Sequence, residues 1–158
     1  MRLIWVIAGL TPRNGGPKVR ASWRLPSAGG EAQRRSQVPT LLIADDDAGF
    51  RSSIRRVLQR DPDTEVIGEA ADGKEAVRLA LSLHPGIVLM DIGMPQMNGL
   101  EALRLTKQAW PDTKIIMVTI HDEEPYRMVA MAGGADGFVL KKALGTDLLP
   151  AIRRLASR

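Results

Sequence analysis

The stretch Ile87-Val88-Leu89-Met90-Asp91 is a short apolar run that ends in a lone carboxylate, and a turn rich in Pro, Gly and Asn follows at 92–99. Four consecutive apolar residues bounded by turn signals predict a strand buried on both faces, as in a parallel sheet. Asp91 would then lie at the carboxyl end of that strand, the edge where open α/β sheets bind ligands. Taken alone, Asp91 is also consistent with a residue that merely caps a turn.

The same pattern repeats on both sides of this stretch. Four further strands are predicted at 40–44, 65–70, 114–119 and 137–141. Apolar residues at helical spacing follow each strand, for example Phe50, Ile54, Val57 and Leu58 after the first. The fifth helix is predicted from Leu148, Leu149, Ile152 and Leu155, and Pro150 should distort its first turn. Five strand–helix units in alternation predict an α/β fold, (βα)5, with a parallel sheet covered by helices on both faces.

The first 38 residues differ in composition from the rest of the 158-residue chain. Of the 22 basic and 18 acidic residues, seven basic and one acidic lie in 1–38, which leaves 15 basic and 17 acidic in 39–158. The formal charge of +4 is therefore a property of the N-terminal segment, and the remainder has no general attraction for nucleic acid. Residues 1–38 show no sustained period and are predicted to be a disordered extension, or one that arises from an upstream start codon. Residues 39–158 are predicted to form the domain.

Other classes of protein are disfavoured by what the chain lacks. It has no cysteine, so disulfides and thiolate metal sites are excluded and a reducing compartment such as the cytoplasm fits. No run approaches the ~20 apolar residues of a membrane-spanning helix.

Polar residues stand at the carboxyl ends of four of the predicted strands. They are Asp45 and Asp46 after the first, Asp91 after the third, Thr119 at the end of the fourth and Lys141 at the end of the fifth. In a parallel sheet these ends share one edge, where three crowded carboxylates would resist ionising without a cation. Mg²⁺ suits such a set because it takes carboxylate oxygens and also accepts phosphate oxygens. A carboxylate nucleophile, Mg²⁺, a lysine and a hydroxyl together predict a site for a phosphoryl group.

Each residue also has a simpler interpretation when considered alone. Asp45, Asp46 and Asp47 could be a cluster that caps the first helix. Thr119 could be an ordinary strand residue, and Lys141 a solvated charge. Their arrival at one edge, from four strands, favours the site.

These residues carry a family resemblance. From about Val38 to Arg158 the chain resembles a response-regulator receiver domain of two-component signalling, in particular receivers that precede a LuxR-type helix-turn-helix output domain. The resemblance rests on five motifs in order: Leu-Ile-Ala-Asp-Asp-Asp at 42–47, Val-Ile-Gly-Glu-Ala-Ala-Asp-Gly at 66–73, Val-Leu-Met-Asp-Ile-Gly-Met-Pro at 88–95, Val-Thr-Ile-His-Asp at 118–122 and Gly-Phe-Val-Leu-Lys at 137–141. It implies a flavodoxin-like doubly wound sheet with strand order 2-1-3-4-5.

The resemblance also implies roles for the site residues. Asp91 would be the phosphoacceptor, with Thr119 and Lys141 contacting the phosphoryl oxygens. Mg²⁺ would be bound by Asp45, Asp46, Asp91 and the backbone carbonyl of Gly93. Phosphorylation would come from the phosphohistidine of a sensor histidine kinase. The protein would then be a cytoplasmic signalling receiver that catalyses only its own phosphorylation and dephosphorylation.

An output through protein contacts is expected. Phosphorylation would switch an interaction surface on the fourth helix, fifth strand and fifth helix, which is a possible homodimer face. The output DNA-binding domain is expected to be absent from this chain, so direct binding of nucleic acid or membrane is not expected.

Three positions depart from the family pattern. Phe138 stands where many receivers have a switching tyrosine, so the ring remains but the hydroxyl is lost. Asp47 occupies a position that is often histidine, and Lys142 one that is often proline.

Two other functions stay open at this point. A phosphohydrolase with an aspartyl nucleophile usually needs a second Asp two residues further on, where this chain has Gly93. A binding module that no longer accepts phosphate would retain the fold without the chemistry.

Overall fold

The computed structural model describes residues 38–157. The predicted N-terminal extension therefore lies outside the described residues, apart from Val38. Strands and helices alternate along the chain: β1 Thr40–Ala44, α1 Ala48–Leu58, β2 Glu65–Ala70, α2 Gly73–Leu83, β3 Ile87–Met90, α3 Gly99–Ala109, β4 Lys114–Thr119, α4 Glu124–Ala132, β5 Gly137–Leu140, a 3₁₀ turn Lys141–Ala143 and α5 Leu144–Ala156.

The five strands form one parallel sheet in the order β2-β1-β3-β4-β5. This confirms the predicted (βα)5 architecture and the flavodoxin-like order 2-1-3-4-5. The central strand β3 is buried along its whole length, whereas the edge strand β2 is mostly half-exposed. The β1–β2 register shifts between Leu41 and Leu42, so this edge pairing is the irregular one.

Successive residues of β1, β3 and β4 alternate between two separate apolar cores, one on each face of the sheet. On one face, Leu42, Val88 and Met117 pack with buried residues of α2, α3 and α4. On the other, Leu41 and Leu89 pack with buried residues of α1 and α5. No helix within 38–157 has the length and apolar character needed to cross a membrane.

Side-chain caps fix where several helices begin. Asp72 accepts a hydrogen bond from Glu75 N at the start of α2, and Asn98 accepts one from Glu101 N at the start of α3. Pro125 lies in the first turn of α4, as predicted, where its missing N–H has no helical partner to lose.

The prediction for the fifth helix was wrong about its start. The helix begins at Leu144, so Pro150 lies inside it rather than in its first turn. The apolar spacing from Leu148 onward does not include Leu144, which is buried in the same core as Leu148, Ile152 and Leu155. The fifth strand ends at Leu140, and Lys141 begins the 3₁₀ turn.

Candidate functional site

The carboxyl edge of the sheet brings three carboxylates together. Oxygen atoms of Asp45, Asp46 and Asp91 all lie within 4.8 Å of one another. Asp45 and Asp91 are buried, with 1% and 6% of their surface exposed, whereas Asp46 is open to solvent. Two buried carboxylates and one exposed carboxylate form a site that is reached from one side.

Lys141 is the cation that faces this cluster. Its Nζ lies 3.0 Å from Asp91 Oδ2, to which it donates a hydrogen bond, and 2.6 Å from Asp45 Oδ2. The ammonium also lies 4.3 Å from the centroid of the Phe50 ring, a cation–π distance. Lys141 thus bridges β1 and β3 from the end of β5, although the prediction from sequence had left open a solvated lysine.

Asp45 is held by contacts on both its backbone and its side chain. Its N–H donates to Ala70 O at 3.1 Å, and its Oδ1 accepts from Asp47 N at 2.9 Å. Oδ2 is buried and has no aligned hydrogen bond, so its contact with Lys141 is an ion pair whose angles are poor for hydrogen bonding. The partner of this oxygen is thus the Lys141 ammonium, which a bound cation would have to displace or share.

The charges of the site shift the pKa values of two groups. Burial raises the pKa of the Asp45 carboxyl, and the Lys141 ammonium opposes this only in part. For Lys141, burial alone would lower the pKa, but its contacts with Asp45 and Asp91 outweigh burial and raise it. The two carboxylates thus favour the charged form of Lys141, whereas burial makes the anionic form of Asp45 less favourable than it is in water.

Asp91 is fixed at the end of β3. Its N–H donates to Ala44 O at 2.8 Å, and its Oδ1 accepts from Ile92 N at 2.7 Å. A Cβ built on Gly99 would lie 1.8 Å from Asp91 O, so the start of α3 is packed directly on this residue. Oδ2 of Asp91 is left pointing toward Lys141, in the cluster.

Thr119 ends β4, and Phe138 lies in the neighbouring strand β5. Thr119 is fully buried, and its Oγ1 accepts a hydrogen bond from His121 N at 3.2 Å. In the part of the chain that the structure describes, Thr119 makes no hydrogen bond to Asp91. Phe138 is half-buried, and Arg127 of α4 lies 4.6 Å from the centroid of its ring.

The donor set fits a hard divalent cation. Three carboxylates, one of them with an unsatisfied buried oxygen, offer only oxygen ligands, as Mg²⁺ prefers. The backbone of Gly93 is adjacent, because a Cβ there would lie 3.8 Å from Asp91 Oδ2. Asp47 has a different role, since its side chain caps α1 through Gly49 N and Phe50 N. The capping interpretation therefore holds for Asp47, while Asp45 and Asp46 belong to the cluster.

One residue beside the site was not predicted. Arg51 lies off the apolar face of the first helix, and its Nη1 donates to Asp45 O at 2.7 Å. Its position one turn after the acidic run was the available signal, since a long side chain there can reach back to the end of the preceding strand.

Comparison with known proteins agrees with this geometry. A family model described as the response regulator receiver domain matches residues 41–153. The transcriptional regulatory protein DegU of Brevibacillus brevis is 38% identical over 116 residues, which cover 73% of this chain and 49% of DegU. The nitrate/nitrite response regulator protein NarL of Escherichia coli K12 is 35% identical over 118 residues, covering 75% and 55%. The chain spans about half the length of the curated relatives it matches.

Solved structures give the same result for the fold. The response regulator domain of Thermotoga maritima CheB is 34% identical, with a TM-score of 0.72 over 77% of this chain and 98% of that one. A two-component response regulator of the LuxR family from Aurantimonas sp. SI85-9A1 is 32% identical, with a TM-score of 0.73 over 76% and 86%.

Proposed function

The chain belongs to the response regulator receiver domain family of two-component signalling, and on that premise we propose that Asp91 accepts a phosphoryl group in a Mg²⁺-dependent reaction. The donor would be the phosphohistidine of a sensor histidine kinase. We also infer that residues 39–158 form this receiver and that 1–38 are an extension of it. The resemblance to receivers of LuxR-type regulators agrees with the structural neighbours.

One observation carries the proposal. A lysine and three carboxylates from three different strands meet at one edge of the sheet, with Lys141 Nζ in contact with both Asp45 and Asp91. A capping or purely structural role for Asp91 does not require a second buried carboxylate beside it, because like charges at this distance oppose each other. An anionic substrate that arrives with a divalent cation explains the arrangement.

The proposed reaction uses the side chains as follows. A carboxylate oxygen of Asp91 attacks phosphorus, the bond from phosphorus to the donor nitrogen breaks, and its electron pair returns to the imidazole. Lys141 balances charge on the transferred phosphoryl oxygens, and the Thr119 hydroxyl turns from His121 N toward them. Mg²⁺, when bound, neutralises the carboxylates and the phosphoryl oxygens; Asp45, Asp46, Asp91 and the carbonyl of Gly93 would hold it.

The proposed output is a change in an interaction surface. We infer that α4, β5 and α5 form the face that responds to phosphorylation and that can mediate homodimerisation. Three side chains of α4 support this, because Met128, Val129 and Met131 are at least half exposed. Exposed apolar side chains grouped on one helix are characteristic of contact surfaces.

The experiment is phosphorylation by a small donor, followed by intact mass. After treatment with acetyl phosphate or phosphoramidate and Mg²⁺, the protein should gain one phosphoryl group, and EDTA should prevent the gain. Asp91→Asn should not be labelled, whereas Asp112→Asn, an exposed Asp distant from the cluster, should be labelled like the wild type. Equal labelling of Asp91→Asn would refute the assignment.

A further inference from the structure

We propose that Arg51 is a positioning residue that sets the Mg²⁺ affinity of the site by holding the backbone of Asp45, a proposal that rests on the proposed Mg²⁺-dependent function. Arg51 contacts two elements at once. Its Nη1 donates to Asp45 O at 2.7 Å, and its Nε donates to Glu69 Oε2 at 3.0 Å. Only 17% of its side chain is exposed, so both hydrogen bonds are largely shielded from water.

The two contacts close a ring between the ends of β1 and β2. Glu69 precedes Ala70, whose carbonyl accepts the N–H of Asp45. The N–H of Asp45 is therefore bound directly to β2, and the carbonyl of Asp45 is connected to β2 through Arg51 and Glu69. With Oδ1 bound to Asp47 N, the oxygen that could bind a metal is Oδ2, which pairs with the Lys141 ammonium at 2.6 Å.

The edge of the sheet needs this extra restraint. Strand β2 has a neighbour on one side only, its residues from Val66 to Glu69 are half-exposed, and its register with β1 shifts between Leu41 and Leu42. Apolar packing thus fixes this strand less firmly than it fixes β3, which is wholly buried. An arginine with two directed hydrogen bonds supplies orientation that packing does not.

Arg55 provides a matched control. It also forms an ion pair with Glu69, through the other carboxylate oxygen, but it carries no hydrogen bond to Asp45. Its side chain is 47% exposed. A substitution at Arg55 therefore also alters the pairing of Glu69, but it leaves the hydrogen bond to Asp45 O in place.

The proposal predicts that Mg²⁺ affinity falls when Arg51 is replaced, whereas the change in charge alone predicts that it rises. Removing a cation near three carboxylates makes the local potential more negative, so electrostatics alone would strengthen Mg²⁺ binding. Loss of positioning should weaken it, on the scale of about tenfold that is typical when partners of metal ligands are removed. Lysine keeps the positive charge but cannot make the two directed hydrogen bonds of the guanidinium, so Mg²⁺ binding by Arg51→Lys should be weakened as well.

The test is isothermal titration of the whole chain with MgCl₂, comparing wild type, Arg51→Lys, Arg51→Gln, Arg55→Lys and Arg55→Gln, with thermal melts in EDTA. We expect both Arg51 variants to bind Mg²⁺ about tenfold more weakly and both Arg55 variants to bind within about twofold of wild type. Unchanged or tighter binding by folded Arg51→Lys would overturn the proposal, as would equal losses at the two arginines. Asp46→Ala distinguishes failure of the Arg51 proposal from failure of the proposed function. If wild type and Asp46→Ala bind Mg²⁺ with the same affinity, the proposed function itself fails.

Discussion

At the scale of single residues, the main feature is that Lys141 neutralises buried carboxylates that a divalent cation would also neutralise. Its ammonium contacts Asp45 Oδ2 and Asp91 Oδ2, and 14% of its side chain is exposed. The Lys141 ammonium and a bound Mg²⁺ would thus contact the same carboxylate oxygens. Binding of Mg²⁺ must either displace the ammonium or share the oxygens with it, and the stability of the metal-free protein should depend on the lysine.

Replacing Lys141 by methionine tests this dependence. The substitution keeps an apolar side chain of similar length near Phe50 but leaves two buried carboxylates without a cation, which costs about 3 kcal/mol when a buried pair is broken. We expect a lower Tm in EDTA, measured by circular dichroism, and a larger rise in Tm on adding Mg²⁺ than the wild type shows. Lys142→Met is the control, because that lysine is 71% exposed and should change stability by less than about 0.5 kcal/mol. An identical Mg²⁺ response in Lys141→Met and wild type would contradict the idea of shared oxygens.

At the scale of elements, the junction between β3 and α3 depends on the absence of a side chain. A Cβ on Gly99 would lie 1.8 Å from Asp91 O, and the atoms it would meet are backbone atoms that cannot rotate away. Gly145, in α5, is exposed, and a Cβ there would have no neighbouring atom within 4 Å. The two glycines therefore make a matched pair.

Substitution of each glycine by alanine should have opposite effects on stability. Gly99→Ala should destabilise the fold by at least about 2 kcal/mol through overpacking, and it should lower phosphorylation of Asp91 because the strand end must shift. Gly145→Ala should stabilise by about 0.5 kcal/mol, since alanine is the better helix former. Urea unfolding of both variants measures the free energies. A Gly99→Ala protein as stable as wild type would show that α3 is not packed on Asp91 as described.

The ion pairs of Arg51 and Arg55 in α1 with Glu69 in β2 make the stability of the fold depend on pH. Burial would raise the pKa of Glu69, but the hydrogen bonds from Arg55 and Arg51 outweigh it and lower the pKa below its usual 4.5. Because the folded pKa is lower than the unfolded one, the stabilisation is present above pH 4.5 and is lost as the pH falls through the folded pKa. Glu69→Gln should thus cost about 1 kcal/mol at pH 7 and progressively less in acid. A cost that stayed constant from neutral pH into acid below the folded pKa would contradict this account.

The elements were largely predictable from the sequence, and the reasons can be given residue by residue. Strands β1, β2 and β4 have the predicted bounds because apolar runs end at turn residues, and the strand-end residues Asp45 and Asp91 converge because parallel strands share an edge. The start of α5 was missed because one buried leucine, Leu144, precedes the periodic run. The contact from Arg51 to Asp45 O depends on how α1 lies over the sheet, so the spacing of Arg51 after the acidic run indicates only that its side chain could reach the end of the strand.

At the scale of the whole molecule, the question is how a phosphoryl group on Asp91 would reach the exposed face of α4. Thr119 lies in β4 and Phe138 in the neighbouring β5, where Arg127 of α4 covers the ring at 4.6 Å. If Thr119 turns toward the phosphoryl group, it leaves His121 N, and the loop that leads into α4 loses one of its attachments. Phe138 has no hydroxyl, so burial of its ring against the core and release of Arg127 are the changes left to bias the switch.

Hydrogen exchange with and without beryllofluoride, which mimics the phosphoryl group, tests this route. We expect beryllofluoride with Mg²⁺ to change amide protection in α4, Glu124–Ala132, and in β5 around Phe138, because these elements repack together. The physical reason is that α4 has only one fully buried side chain, Ala130, so a small shift costs little apolar contact. Asp91→Asn should show none of these changes. Protection changes confined to α1 and α2 would rule out the route through Thr119 and Phe138, and would place the response at the acidic edge itself.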